Sequence, residues 1–363
     1  MDRGGIISRF FVCLGLVICA LCGQAVAVDN TIPPELIHLV PEAAEFLTED
    51  ASDTFGLLDG VAQIVKRSAG EVRQYCFSGV RSVAAIMMGV VLLGVVDVLS
   101  DDSNVMKYST LVGALWITAV SAGDMSALIG LGQETIASVS TFSKFLIPVL
   151  AASTAAAGGV TAASVRQVGT VLFSNLLLSA IEKFLLPLLY LYIGLSAAAC
   201  VLEGGLMERM GTFLKKTIIW CLSGLLVLFT AYLSLGGAIA GAVDAQALHF
   251  TKSAIGAAVP IVGGILAEAA ESLVAGAGIL RGMTGVFGVL GVLSMCLVPF
   301  LRLGVQYLLY QAASFVAQAA GPGKLTKLLS MMGDAFSLIL AMTAACALVL
   351  VISIVSTLTV VGG

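Results

Sequence analysis

From Ser78 to the carboxyl terminus, apolar stretches of membrane-spanning length follow one another with short interruptions: residues 80–99, 109–132, 142–164, 168–202, 217–243, 255–280, 283–320 and 335–361. A helix needs about 20 apolar residues to cross a hydrocarbon core of about 30 Å. With no water inside the bilayer, the backbone of such a stretch must satisfy its own hydrogen bonds, and runs of this length do so as helices. Composition agrees: the chain is 59% apolar and 11% charged, where a water-soluble domain is about 45–50% apolar and roughly a quarter charged. The predicted fold class is all-α, a polytopic integral membrane protein. Its 40 glycines suit helices brought close through small residues. The 18 basic side chains are scattered and form no patch dense enough for nucleic acid, so that partner class is set aside and membrane lipid takes its place.

Charge divides the chain. Residues 28–108 carry 17 charged side chains, against 20 in the much longer stretch 109–363. Ahead of both, Asp2-Arg3 and Arg9 flank an apolar run from Phe10 to Cys22, and Ala25-Val26-Ala27 has the small-x-small pattern of a signal-peptidase site. Residues 1–27 therefore read as a cleavable signal peptide; an uncleaved first helix is the other reading, against which the run is shorter than the ~20 residues needed to span. A lipoprotein signal fits badly, because Ile18 precedes Cys19 and Leu21 precedes Cys22. Cleavage places residues 28–77 outside the cytoplasm as an acidic, partly helical region. Residues 29–59 hold eight acidic side chains and no basic one, with Leu36, Ile37, Leu39, Val40, Phe46 and Leu47 at rough helical spacing. Two short amphipathic helices are expected, after Pro33-Pro34 and after Ser52-Asp53, forming either a solvated acidic face or a docking surface. Lys66, Arg67 and Arg73 give residues 61–77 a basic character that suits a lipid surface.

The membrane body divides into a transmembrane hairpin (78–140) and two units (141–243 and 252–363) that look like an internal repeat. Residues 142–164 and 255–280 are rich in Ala, Gly, Ser and Thr and carry a proline near the start. At an offset of 112, Ile147-Pro148-Val149-Leu150-Ala151-Ala152 matches Val259-Pro260-Ile261-Val262-Gly263-Gly264 in character, and Pro187 falls on Pro299. Each copy continues through a charged turn, 203–216 or 321–334, and a final apolar span. Positive turns normally stay in the cytoplasm, and Arg209, Lys215 and Lys216 in one copy correspond to Lys324 and Lys327 in the other. With the amino terminus outside, both turns lie inside if 142–164 and 255–280 are re-entrant or surface-lying. That path has six crossings, a parallel repeat and an outside carboxyl terminus; eight full crossings are the rival count.

Spans 168–202 and 283–320 are about 50 Å long as straight helices, against a core of about 30 Å, so they must tilt, kink or break. Pro187 and Pro299 mark the expected places, since proline removes a backbone donor and crowds the preceding turn. Charges near them, Glu182, Lys183 and Arg302, together with Glu268 and Glu271 in the second small-residue segment, are costly in lipid. Each is expected either to face a bundle interior or water and find a partner, or to sit near an interface and snorkel. With Pro148, Pro260 and Gly263 from the matched segments, these are the candidate functional positions.

Searching for chemistry returns absences: no HExxH, no GxGD, no GxxxxGK[ST], no GxSxG. His38 and His249 stand alone. Cys13, Cys19 and Cys22 leave with the signal, Cys200, Cys221, Cys296 and Cys346 sit in apolar spans as small hydrophobes, and Cys76 has no evident partner. No cofactor, metal or catalytic residue is therefore expected.

The block from Lys252 to Arg281 (KSAIGAAVPIVGGILAEAAESLVAGAGILR), then Gly285-Val286-Phe287-Gly288, the Pro299 span and a carboxyl-terminal apolar helix ending in Gly-Gly, resembles the stage III sporulation protein AE family. The order of signal, acidic preface and polytopic body agrees, so the resemblance covers most of the chain. It implies a subunit of the channel complex between mother cell and forespore in endospore-forming bacteria, in the mother-cell-derived membrane around the forespore. The implied partners are other proteins of the same operon: membrane subunits, ring-forming proteins of the intermembrane space and a cytosolic secretion-type ATPase. The implied role is to sustain forespore development and late forespore transcription. No catalytic residues come with it. Three readings are carried forward: a non-enzymatic membrane subunit of that assembly, single or as a homo-oligomer; an autonomous secondary transporter, since repeats with broken spans build midplane sites; and a membrane enzyme, disfavoured by the missing motifs.

Overall fold

The computed structural model describes residues 57–99, 103–202, 205–258, 263–320 and 323–359, all but a few of them helical. The signal peptide, the acidic stretch to residue 56 and Pro260 lie outside the described residues, as do the side chains of Glu268, Glu271 and His249 and the surroundings of Gly263. The elements are α1 (Leu57–Leu99), α2 (Ser103–Ala156), α3 (Val160–Ala180), a π-helical turn (Ile181–Leu185), α4 (Leu186–Val201), α5 (Leu206–Ala258), α6 (Gly263–Ala320) and α7 (Gly323–Thr359). Because α3, the π turn and α4 form one rod, six helices are long and apolar enough to cross a membrane, the third running Val160–Val201.

α7 is the hub. Its sequence from residue 335 is apolar on every side, which suits a helix enclosed by others, and it touches α2, α3, α4, α5 and α6. Leu328, Leu329, Phe336, Ile339 and Leu350 are fully buried. Small residues let the helices close on it and on each other. A Cβ built at Gly169 of α3 would lie 2.1 Å from the Tyr232 ring of α5, so that ring fits only over a bare backbone.

Three expectations change. Residues 142–156 do not re-enter; they complete the 54-residue helix α2, with Pro148 inside it. Tertiary packing overrides the proline there. Phe142, Leu146, Ile147 and Leu150 are buried on both sides of it, and Phe142 meets Phe287 of α6 with ring centroids 6.3 Å apart. The chain turns only at Ala157–Gly159, where Gly158 has φ of 91°, a left-handed conformation that glycine adopts without strain. In the second unit, 263–280 is continuous with the Pro299 span in α6. Finally, no helix boundary separates 61–77 from the first span: α1 runs unbroken from Leu57 to Leu99.

Pro187 behaves as expected in part. It follows the π turn, in which the Leu186 amide donates to the Ile181 carbonyl rather than one residue later. The wider turn absorbs the donor that proline lacks. Pro299, by contrast, lies buried inside continuous helix.

Candidate functional site

Among the described residues, polar groups of the membrane body collect at three places. The first is a seam between α1, α2 and α6 around Asp124. Ser82 Oγ donates to Asp124 Oδ1 at 3.3 Å, and Gln306 Nε2 donates to Oδ2 at 3.0 Å. The Tyr310 hydroxyl lies 2.9 Å from Ser121 Oγ and 3.4 Å from Asp124 Oδ2. A hydroxyl has one proton, so Tyr310 serves the carboxyl when Ser121 donates to it, and Ser121, Tyr310 and Asp124 form a short relay. Helical spacing explains the assembly. Arg302, Gln306 and Tyr310 are four apart and share one face of α6, while Tyr75, Gly79 and Ser82 share one face of α1. At Gly79 a Cβ would lie 2.7 Å from Gln306 Oε1, so the glycine admits the amide. Arg302 ends the seam, its guanidinium carbon 3.4 Å from the centroid of the Tyr75 ring, a cation–π contact.

The second place is the amino terminus of α3. Its first residues have free amides and no side-chain cap of their own. Asp244, from the far end of α5, supplies one: Oδ1 accepts from the Thr161 amide at 3.0 Å and Oδ2 from the Ala162 amide at 2.8 Å. A carboxylate there also meets the positive end of the helix dipole. One turn on, buried Arg166 donates from Nε to Ser356 of α7 at 3.2 Å. Its guanidinium passes over Gly237, where a Cβ would be 3.2 Å from Nη2. Thr170 and Ser353 join hydroxyls beside it.

The third place is the basic end. Lys215 of α5 pairs with Asp334 of α7 at 2.8 Å, and Lys327 of α7 pairs with Glu208 of α5. Lys215, within the turn at 203–216, thus reaches the turn at 321–334, and Lys327 in that turn reaches back to the first. Both basic turns therefore share one end of the bundle, which an eight-crossing path cannot arrange, since it puts 203–216 and 321–334 on opposite sides. A cavity of about 570 Å³ opens beside them, lined by Cys200, Glu208, Lys324, Lys327 and Met331 among others.

Of the candidate charged positions near the proline kinks, all described, Arg302 joins a polar cluster. Glu182 and Lys183 do not face the bundle interior; both are exposed, in the π turn on the outer surface, and Pro148 and Pro187 are exposed as well. Asp124 escaped notice although a lone acid in the span 109–132 was visible. Gln306 and Tyr310 were legible only as the next residues along the Arg302 face. Among the described residues, no three His, Cys, Asp or Glu side chains gather as a metal site would require.

Comparison with known proteins bears on what this body is. The sequence model of the family described as stage III sporulation protein AE matches residues 54–361. Stage III sporulation protein AE of Bacillus subtilis (strain 168) is 22% identical over 254 residues, which make up 70% of this chain and 64% of that protein. The aligned stretch is thus under two thirds of the relative's length. No solved structure matches the chain. The family match opens three residues before α1 and closes two residues after α7, so the whole helical body falls within it, and the chain belongs to the stage III sporulation protein AE family.

Proposed function

We propose that the chain is a non-enzymatic, multi-pass membrane subunit of a sporulation-specific, secretion-like channel complex joining mother cell and forespore. It sits in the mother-cell-derived membrane with its amino-terminal region outside the cytoplasm. The observation that carries this reading is the family match over residues 54–361, coinciding with six apolar helices. The placement of the polar groups supports it: those of the seam and of the α3 cap are spent on joining helices to one another, as a scaffold requires. The partners are then the other proteins of the same operon, namely membrane subunits, ring-forming proteins and the cytosolic ATPase, gathered around a body built from two similar units.

Affinity purification of the full-length tagged chain from sporulating cells tests the reading. The expected result is retention of the operon's membrane, ring and ATPase proteins, with no solute movement when the chain alone is placed in liposomes. The seam around Asp124 is the one feature that favours an autonomous carrier, since an acid inside a membrane is what proton coupling uses. Ion-coupled solute uptake by the purified chain alone, with no retained partner, would replace the assembly reading with that one.

A further inference from the structure

The outward faces of the bundle differ in kind. α5 presents Phe213, Trp220, Val227, Leu235 and Ile239, large apolar side chains suited to lipid. On α2, no exposed large apolar side chain occurs between Trp116 and Phe145. Its exposed stripe there includes Ser126, Gly130, Gln133, Glu134, Ser138 and Lys144. Small residues on a membrane helix allow another helix to approach closely, and charges at that depth are expensive unless paired.

Glu134 has a complement at its own depth. α2 and α3 form a hairpin closed at Gly158, and in such a hairpin residues equally far from the turn lie level. Ser140 with Leu177, and Ser143 with Ser174, line one small cavity in this register. Glu134 precedes Gly158 by 24 residues and Lys183 follows it by 25. Lys183 stands near the middle of the 42-residue span Val160–Val201, far from either end for a side chain that must snorkel. Both are exposed, and among the described residues neither has a hydrogen-bond or ion-pair partner.

We propose that copies of this chain associate side by side in the membrane, the polar face of α2 in one copy meeting the π turn of the next, with Glu134 paired to Lys183 of the adjacent copy. Rotation about the membrane normal preserves depth, so one chain that carries an unpaired acid and an unpaired base at the same level is complementary to itself. Low dielectric strengthens the pair once water and lipid are excluded. The small neighbours, Gly130 above all, let the two backbones come close enough for it. The association does not depend on the sporulation assembly and is tested without it.

Two full-length versions with different tags are co-expressed in cells lacking the operon partners, extracted in mild detergent and captured through one tag. Wild-type copies should co-purify, and Glu134→Lys or Lys183→Glu in both copies should reduce recovery by at least about fivefold. The deciding arm mixes the variants. A Glu134→Lys copy repels itself and a Lys183→Glu copy repels itself, but each attracts the other, so co-expression should restore recovery. Restoration only when both changes sit in one chain means the pair is intramolecular and overturns the proposal, as does unchanged recovery from the single reversals. If a reversed variant does not fold, copies bearing Glu134→Cys and Lys183→Cys replace it. A disulfide-linked dimer formed only by the mixture supports the contact, and its absence overturns it.

Discussion

Asp124 has more donors than one carboxyl group easily finds inside a membrane, and they come from far apart in sequence: Ser82 is 42 residues away and Gln306 is 182. That separation is why the seam was not legible in the sequence. A lone acid in an apolar span announces a partner but does not name it, and the partners are set by how α1 and α6 dock. The firmest contact is the 3.0 Å bond from Gln306. An Asn at position 124 with its amide oxygen in the place of Oδ2 still accepts from Gln306 and from the Tyr310 hydroxyl, and its nitrogen, in the place of Oδ1, donates to the Ser82 hydroxyl, so Asp124→Asn should cost within about 1 kcal/mol. Gln306→Leu leaves the half-buried carboxyl short of a donor and puts an alkyl group against it, at a cost of about 1–3 kcal/mol. Thermal unfolding of the full-length chain in detergent measures both; Asp124→Asn proving the more destabilising of the two would contradict the assigned hydrogen bonds.

At the scale of elements, three prolines that lie within apolar segments of the body took three outcomes. Pro148 sits exposed inside α2, Pro299 sits buried inside α6, and Pro187 follows a π turn. Apolar spans, their number and the basic turns were readable because length and charge are local properties. The fate of a proline, and whether a small-residue segment crosses or re-enters, depends on what packs beside it, as Phe142 and Phe287 show at Pro148. The π turn holds one extra residue in an otherwise regular rod, and its wider loop absorbs that residue so that α3 and α4 stay in phase. Deleting Phe184 would return the turn to α geometry and leave α3 in register, whereas deleting Leu176, in the regular helix of α3, would rotate the part of α3 before it by about 100°. Arg166, Thr170 and the amides capped by Asp244 would then leave their partners on α5 and α7. Fluorescence-detected size exclusion of tagged chains should therefore show the Phe184 deletion eluting as a single peak near wild-type yield, and the Leu176 deletion largely aggregated. Aggregation of the Phe184 deletion to the same extent would mean that the π turn does not absorb its extra residue.

For the whole molecule, the reciprocal pairs Lys215–Asp334 and Lys327–Glu208 constrain topology more firmly than hydropathy does, because side chains in ion-pair contact must lie on the same side of the membrane. They fix α3, α5, α6 and α7 as crossings that return both basic turns to one end, and the turn at Ala157–Gly159 to the other. Their energetic contribution is small: the Lys327–Glu208 pair is substantially exposed, and such pairs contribute about 0–1 kcal/mol. Their value is positional. The end they define gathers Arg209, Lys215, Lys216, Lys324 and Lys327, and because basic turns are normally retained inside, the proposed orientation predicts that this end faces the cytoplasm. Two exposed sites read the assignment. Val160 lies beside the opposite turn and is 60% exposed, and Leu206 lies at the basic end and is 62% exposed. In a background with the native cysteines replaced, a membrane-impermeant maleimide added to intact cells should label Val160→Cys and leave Leu206→Cys unlabelled until the membrane is opened. Inversion of the two results would place the basic end outside and with it reverse the orientation of the amino-terminal region. Labelling of both sites in intact cells would put the two turns on one side, which the unbroken rod from Val160 to Val201 forbids if it crosses the bilayer.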